Sequence, residues 1–419
     1  MDARRDVRWP SLPRPTATAV ALGVVACAAG VSWLVATHLG AAPSQRLVDL
    51  DVYRGAGRSV LDGNDLYRFL GHPPQRLPFT YPPFAALLAV PLAWMSFSAV
   101  GWLWTVGEIL TTVAITWLGF RRLLPRLGRW WPLGLGLLAG AMQQMLPLRD
   151  EIKFGQVDEL LVLMCAVDCL LLSRRRWGGA LVGLATAVKL TPGVFIIYLL
   201  LTGRRRAAGV AAGAFVAATV LAAGLLPDDS RSFWTDALWH SERLRANDGT
   251  SNQSLRGMWL RAVADGHLSA ALWVASAVVI AVVGFRRAAG AARAGDELTG
   301  VALTGLLAVL LSPVSWIHHL CWLPLVLGAI VADGRDRRRL LAAAGVFAYF
   351  VLKVPWIGAH LLADGAPAPF ARIAQDGYGL MSIVLLVTLR ARSDTENSTV
   401  LAPAVTVRHT EGRIPGGTT

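Results

Sequence analysis

Lysine is almost missing from this chain. Of forty basic residues only three are lysine, Lys153, Lys189 and Lys353. Charge of either sign is sparse, at 16% of 419 residues. That is too little to cover the surfaces of the soluble domains a chain of this length would form. Cysteine is also scarce. Cys27, Cys165, Cys169 and Cys321 each lie in or beside an apolar block, with no loop partners, so there is no disulfide framework. Cys165 and Cys169 are one helical turn apart and read as small buried apolar residues. Two phosphate-binding signatures are absent, G-x-x-x-x-G-K-[ST] and a GxGxxG within a βαβ pattern, which leaves soluble nucleotide chemistry unsupported. No internal repeat and no soluble domain is evident.

What is present is apolar length. Hydrophobic residues make up 54% of the chain and the mean hydropathy is +0.50. Lipid solvates apolar side chains on every face of a helix, so such blocks need no polar face. The net charge of +13 does not indicate a nucleic-acid partner. The arginines form short runs between apolar blocks, as cytoplasmic loops do under the positive-inside rule. The pattern predicts an all-α polytopic membrane protein with about twelve transmembrane helices. The blocks are residues 16–38, one net crossing within 84–120, then 132–147, 159–172, 178–190, 192–201, 207–226, 267–285, 299–311, 320–331, 340–355 and 379–389. The basic start of the chain resembles a signal peptide, but 16–38 is long enough to span and reads as a retained first helix.

Parity tests the count. With Arg4, Arg5 and Arg8 placed inside, the runs at 121–129, 174–176, 204–206, 286–293, 335–339 and 390–392 all fall inside as well. Arg231, Arg243 and Arg245 fall outside. The block 84–120 has room for one crossing or three; Pro91 and Ser96–Ser98 interrupt the run, and its first part reads as a half-helix at the interface. The outer segments are then 40–83, 148–158, the turn 189–192, 227–266, 312–319 and 356–378. They hold most of the polar residues found outside the arginine runs. Residues 1–392 read as one transmembrane domain, and 393–419 as a disordered cytoplasmic tail.

Several outer motifs suit chemistry. Asp49 and Asp51 follow the first span in Val48-Asp-Leu-Asp-Val-Tyr53-Arg54. A carboxylate there can face the membrane surface, where a base acting on a lipid-borne substrate must sit; equally, Asp49 is well placed to cap an interfacial helix. Asp62-Gly-Asn reads as a turn. Lys189, in Val188-Lys-Leu-Thr-Pro192, is a charge at membrane depth beside a helix break, functional or else snorkelling to the headgroups. His318 and His319 are adjacent, so on a helix they diverge by about 100°. No further ligand sits at zinc spacing, so donation to a phosphate or sugar hydroxyl fits better. Asn252-Gln253-Ser-Leu-Arg256-Gly257 offers amides and a guanidinium, common sugar and phosphate handles. Its match to a glycosylation sequon is attributed to chance.

Taken together, these stretches resemble the actinobacterial polyprenyl-phosphate-mannose-dependent α-1,2-mannosyltransferases, membrane glycosyltransferases of the GT-C fold. The matching motifs are Val48–Tyr53, Phe79-Thr-Tyr81-Pro-Pro-Phe-Ala85, Phe154-Gly-Gln156, Val188–Pro192, Asn252–Gly257 and Leu311–Trp316 with His318-His319. They run in family order over about three quarters of the chain. The resemblance implies that Asp49 is the general base. It implies substrate contacts from Asp51, Tyr53, Arg54, Tyr81, Gln156, Lys189, Asn252, Gln253, Arg256, His318 and His319. It leads to asparagine at position 158, where this chain has aspartate, a departure expected to alter acceptor contacts rather than chemistry.

The implied reaction transfers mannose from polyprenyl-phosphate-mannose to a glycolipid acceptor such as a phosphatidylinositol mannoside or lipoarabinomannan precursor. It takes place at the outer face of the plasma membrane, with inversion at the anomeric carbon. Lys189, Arg256 and His318 or His319 are candidates to neutralise the leaving lipid phosphate. No carboxylate cluster calls for a metal, and neither metal nor cofactor is expected. Two rivals remain at this point: transfer of another polyprenyl-phosphate sugar such as arabinofuranose, and transport of lipid-linked sugar.

Overall fold

The structure is a computed structural model and describes residues 11–42, 45–240 and 247–392. The tail from 393, the run Arg4/Arg5/Arg8, and Arg243 and Arg245 lie outside these residues. Among the described residues the regular structure is helical, and β pairing is limited to two isolated bridges, Leu70–Pro78 and Asn252–Trp316.

The helices follow in order: α1 (Ala17–Leu39), α2 (Val48–Asp62), α3 (Pro83–Ala93), α4 (Phe97–Phe120), α5 (Trp131–Met142), α6 (Leu146–Phe154) and α7 (Asp158–Val167). Next come α8 (Ala180–Val188), α9 (Val194–Leu201), α10 (Arg205–Leu225), α11 (Pro227–Ser232), α12 (Leu255–Ala262) and α13 (Gly266–Arg293). The last are α14 (Glu297–Leu311), α15 (Leu323–Val331), α16 (Arg337–Val351), α17 (Val354–Ala363), α18 (Ala368–Gln375) and α19 (Gly377–Thr388). Polar side chains mark several starts. Thr16, Ser96, Ser254 and Asp265 each accept the backbone N–H three residues on, which satisfies a donor that the helix leaves unpaired.

Four helices, α1, α4, α10 and α13, are long and apolar enough to cross a bilayer, and α16–α17 and α18–α19 form bent apolar pairs. Their outward faces are apolar, with Val24, Leu110, Val220 and Val278 each more than half exposed. This is a polytopic membrane protein. Close helix approach comes from glycine. A Cβ on Gly30 of α1 would lie 2.7 Å from the Cα of Gly140, and one on Gly119 of α4 would lie 2.6 Å from Pro324 O.

Two details differ from a simple reading of hydropathy. The block 84–120 divides at Trp94–Ser96. Its first part, α3, is 11 residues long, about 16 Å, too short to cross alone, and packs along α2. Residues 356–378 are not an irregular loop: α17 and α18 fold back on each other there.

Two polar networks tie helix ends together. In one, Arg122 pairs with Asp296 at 2.9 Å, Arg204 and Arg174 pair with Glu297, and Arg126 and Arg392 meet Asp333. The backbone N–H of Arg392 also donates to Asp296 at 3.1 Å. These contacts join the basic segments after α4, α7, α9 and α19 to the start of α14 and to Asp333 after α15. The other network surrounds a cavity of about 720 Å³.

Candidate active site

The cavity is organised by an interlock between α2 and α6. Leu47 precedes α2 in a left-handed conformation (φ 51°), buried, with its N–H donating to Lys153 O at 2.9 Å. Gly155 ends α6 at φ 68°, and a Cβ there would meet the Leu50 Cβ at 2.8 Å. Only glycine fits that conformation and that space. The interlock sets Asp49, in the first turn of α2, against Gln156, just past α6. Leu47 occupies the cap position and no side chain caps the helix, so Asp49 is not held there as a cap.

Asp49 is half-buried, and its exposed part lines the cavity. The Gln156 side chain hydrogen-bonds it. The opposite end of that amide, Oε1, accepts from Tyr53 OH at 2.7 Å and Tyr81 OH at 3.2 Å, and the two hydroxyls lie 2.8 Å apart. With Oε1 so engaged, the Gln156 NH₂ is the group that donates to Asp49. Burial pushes the Asp49 carboxyl up to about 7, against the Gln156 hydrogen bond and the charge of Lys189, which pull it down. The backbone carbonyl of Gln156 is fixed in turn by Trp104 Nε1 at 3.1 Å.

Lys189 completes this wall. Its Nζ lies 2.8 Å from each carboxylate oxygen of Asp158, 3.0 Å from Nε2 of His319 and 5.4 Å from the centre of the Tyr81 ring. It is held by partners and does not snorkel. Folding also brings together what the spacing of the chain kept apart. Asp158, His318 and His319 present ligand atoms within 4.8 Å of one another, a set suited to a metal ion. The expectation that the paired histidines have no third ligand therefore fails. The ammonium of Lys189 competes for that place, since it already bonds Asp158 and His319. Both imidazoles are held well below their usual range, chiefly by burial. They are therefore neutral, each carrying one N–H, and His318 Nε2 is buried without a partner among the described residues.

The cavity gathers seven of the residues expected at a site: Asp49, Tyr53, Tyr81, Gln156, Lys189, His318 and His319. The other five lie outside its lining. Asp51 accepts from His72 N and Nδ1 at 3.2 and 2.8 Å, and so pins the turn 70–78. Arg54 donates to Met95 O at 3.0 and 3.2 Å, and Arg256 lies over the Trp273 ring. Asn252 is fully buried, out of reach of any glycosylation, and its Oδ1 accepts from Ser315 N at 2.9 Å. Gln253 bridges Gln375 O and Gly379 N. The Asn252 amide thus places the segment leading to Trp316 and the histidines, and the Gln253 amide ties the end of α18 to the start of α19, rather than either offering a handle to a sugar. Asp158 departs from the expected asparagine in a different way from that anticipated, because it meets Lys189 rather than the main cavity. Trp104 and Asp158 were missed as site residues. Trp104 is hidden in an apolar run, and Asp158 makes its contacts across 31 or more residues of chain.

The apolar helical bundle holds a cavity lined by a carboxyl, a fixed ammonium and two neutral imidazoles, as a membrane-embedded transferase would require. Residues 79–313 match the description Glycosyltransferase family 87. The chain belongs to that family and is a glycosyltransferase. It is 34% identical over 332 residues to the polyprenol-phosphate-mannose-dependent alpha-(1-2)-phosphatidylinositol mannoside mannosyltransferase of Mycobacterium tuberculosis, covering 75% of this chain and 77% of that one. It is 33% identical over 380 residues to the corresponding phosphatidylinositol pentamannoside mannosyltransferase of Mycolicibacterium smegmatis, covering 85% and 86%. No solved structure gives a significant match.

Proposed function

We propose that the protein moves mannose from polyprenyl-phosphate-mannose to a mannosyl glycolipid, forming an α-1,2 linkage at the outer face of the plasma membrane. The relatives' names supply the sugar, its carrier and the acceptor class. The observation that carries the reading is the pairing of Asp49 with Gln156 beside the ammonium of Lys189 on one cavity wall.

Asp49 takes the proton of the acceptor hydroxyl as that oxygen bonds to the anomeric carbon. The bond from that carbon to the phosphate oxygen breaks, its electron pair leaves on the lipid phosphate, and the β-linked donor becomes an α-linked product. Lys189 meets the charge that develops on the phosphate, with the neutral His318 and His319 lining the same cavity. Arg256, outside the cavity lining, takes no part.

The twelve-crossing arrangement, with both ends of the chain inside, is part of this proposal; what favours it is that the arginine-bearing helix ends meet in one network. Each arginine run tied together through Asp296, Glu297 and Asp333 belongs to one side, and the cavity motifs fall on the other. The test is incubation of purified protein with polyprenyl-phosphate-mannose and a phosphatidylinositol mannoside. The expected product is one hexose heavier and α-1,2-linked. Absence of that product, or transfer from polyprenyl-phosphate-arabinofuranose instead, overturns the reading.

A further inference from the structure

We propose that Lys153, Arg149 and Lys353 form a basic row that docks the phosphodiester anion of the acceptor lipid. The inference rests on the transfer reaction above and adds a second anion site to the same cavity.

The row begins at the cavity wall, where Lys153 and Phe154 both line the space. Arg149 lies one turn earlier on the same face of α6. Its guanidinium sits 5.4 Å from the centre of the Trp33 ring on α1, and Trp33 is itself 59% exposed on the lipid-facing surface. Lys353 stands exposed at the break between α16 and α17, beside the outward-facing Leu352 and Trp356, and α16 packs against α6. All three cations act on the same two groups, His38 and Asp150, so they form one cluster rather than three separate surface charges.

The cluster lacks counter-charge. Among the described residues none of the three side chains has a hydrogen-bonded or ion-paired partner, and the contacts of two of them are with rings: Arg149 over Trp33 and Lys153 over Phe154. Asp150 is a carboxylate on which all three act. Burial pushes its carboxyl up to about 6, and the three cations pull the other way. Even with Asp150 ionised, two positive charges remain. Like charges gathered at the edge of an apolar bundle repel one another unless an anion joins them.

The position suits a lipid phosphodiester. Lys189 is the enclosed cation, its side chain 15% exposed and close to Asp49, and serves the donor phosphate. An acceptor glycolipid carries its reacting hydroxyl on one end of a sugar chain and its phosphodiester on the other, next to the acyl tails. Its anion therefore belongs away from Asp49, where the cavity wall meets lipid. The row runs from the cavity to that boundary, beside the exposed rings of Trp33 and Trp356, a residue type favoured at membrane interfaces.

The variants are Arg149→Gln with Lys353→Gln, both outside the cavity lining. Two acceptors are compared with the same donor: a phosphatidylinositol mannoside and a neutral octyl mannoside. We expect the KM for the anionic acceptor to rise about tenfold, with kcat, donor KM and the kinetics of the octyl mannoside unchanged. Arg149→Lys with Lys353→Arg should restore the anionic acceptor. An unchanged KM, or equal losses with both acceptors, overturns the proposal. A parallel measurement needs no turnover: binding of the phosphatidylinositol mannoside to the protein in phosphatidylcholine nanodiscs. Tight binding lost in the double glutamine variant supports the row even if no mannose is transferred, a result that would sink the transfer reading alone. Equal binding by both proteins, or full competition by equimolar phosphatidylglycerol, shows a site for bulk anionic lipid at most and overturns the assignment to the acceptor.

Discussion

Nζ of Lys189 lies 2.8 Å from both carboxylate oxygens of Asp158, so a fixed ammonium stands against the ligand set that Asp158, His318 and His319 would offer a metal. An ammonium so placed can neutralise a leaving phosphate without a divalent ion. Transfer should therefore continue in EDTA, measured as labelled mannose passed to lipid. Lys189→Met should cost about 10²–10³-fold in kcat. Asp158→Asn keeps the cation and a hydrogen-bonding partner and should cost far less. EDTA-sensitive turnover restored by one particular cation would show that the metal, not Lys189, does this work.

The pH dependence follows from Asp49. Its carboxyl is pushed up to about 7 by burial, and a general base works only when ionised. Protonation therefore removes activity as pH falls. The value of kcat/KM should rise about tenfold per pH unit below 7 and level off above it. His318 and His319 are held well below their usual range, stay neutral throughout and add no second limb near neutrality. Product formation between pH 5.5 and 8.5 reads this directly, and a flat profile would count against Asp49.

Membrane orientation is tested by cysteine labelling. Val60→Cys, in α2, should react with an impermeant maleimide in intact cells. Arg205→Cys, at the start of α10 beside the arginine network, should react only after permeabilisation. The reverse pattern would invert the whole arrangement and place the cavity in the cytoplasm.

The apolar blocks made the helical membrane fold legible because lipid imposes length and composition on each span. The break between α3 and α4 was legible too, in Pro91 and the serines. The cavity lining was legible where a motif supplies one of its residues by itself, as with Asp49, Gln156 and Lys189. It was misread where a polar side chain serves the fold. The amides of Asn252 and Gln253 suit a sugar as well as they suit a backbone, and only the Ser315, Gln375 and Gly379 contacts decide between them. Asp158 and Trp104 were illegible for a different reason. Their partners, Lys189 and His319 for one and the Gln156 carbonyl for the other, are distant in sequence.

The contrast between Asp49 and Asp51 gives the sharpest test. The two carboxylates are two residues apart on α2, and the helix turns them to different neighbours. Asp49 faces the cavity and the Gln156 amide, whereas Asp51 holds His72 and the turn that carries Gln75 and Leu77 to the cavity edge. Asp49→Asn keeps the shape and a hydrogen-bonding group but cannot take a proton. It should lower kcat by about 10²–10⁴-fold while expression and donor binding persist. Asp51→Asn loses the charged partner of a mostly exposed histidine, an interaction worth about 0–1 kcal/mol. It should leave kcat within about threefold and act, if at all, on KM through the loosened turn. Side-by-side kinetics of the two purified variants decide the matter. An active Asp49→Asn beside an inactive Asp51→Asn would move the base by two residues and require the catalytic step to lie on the His72 side of α2.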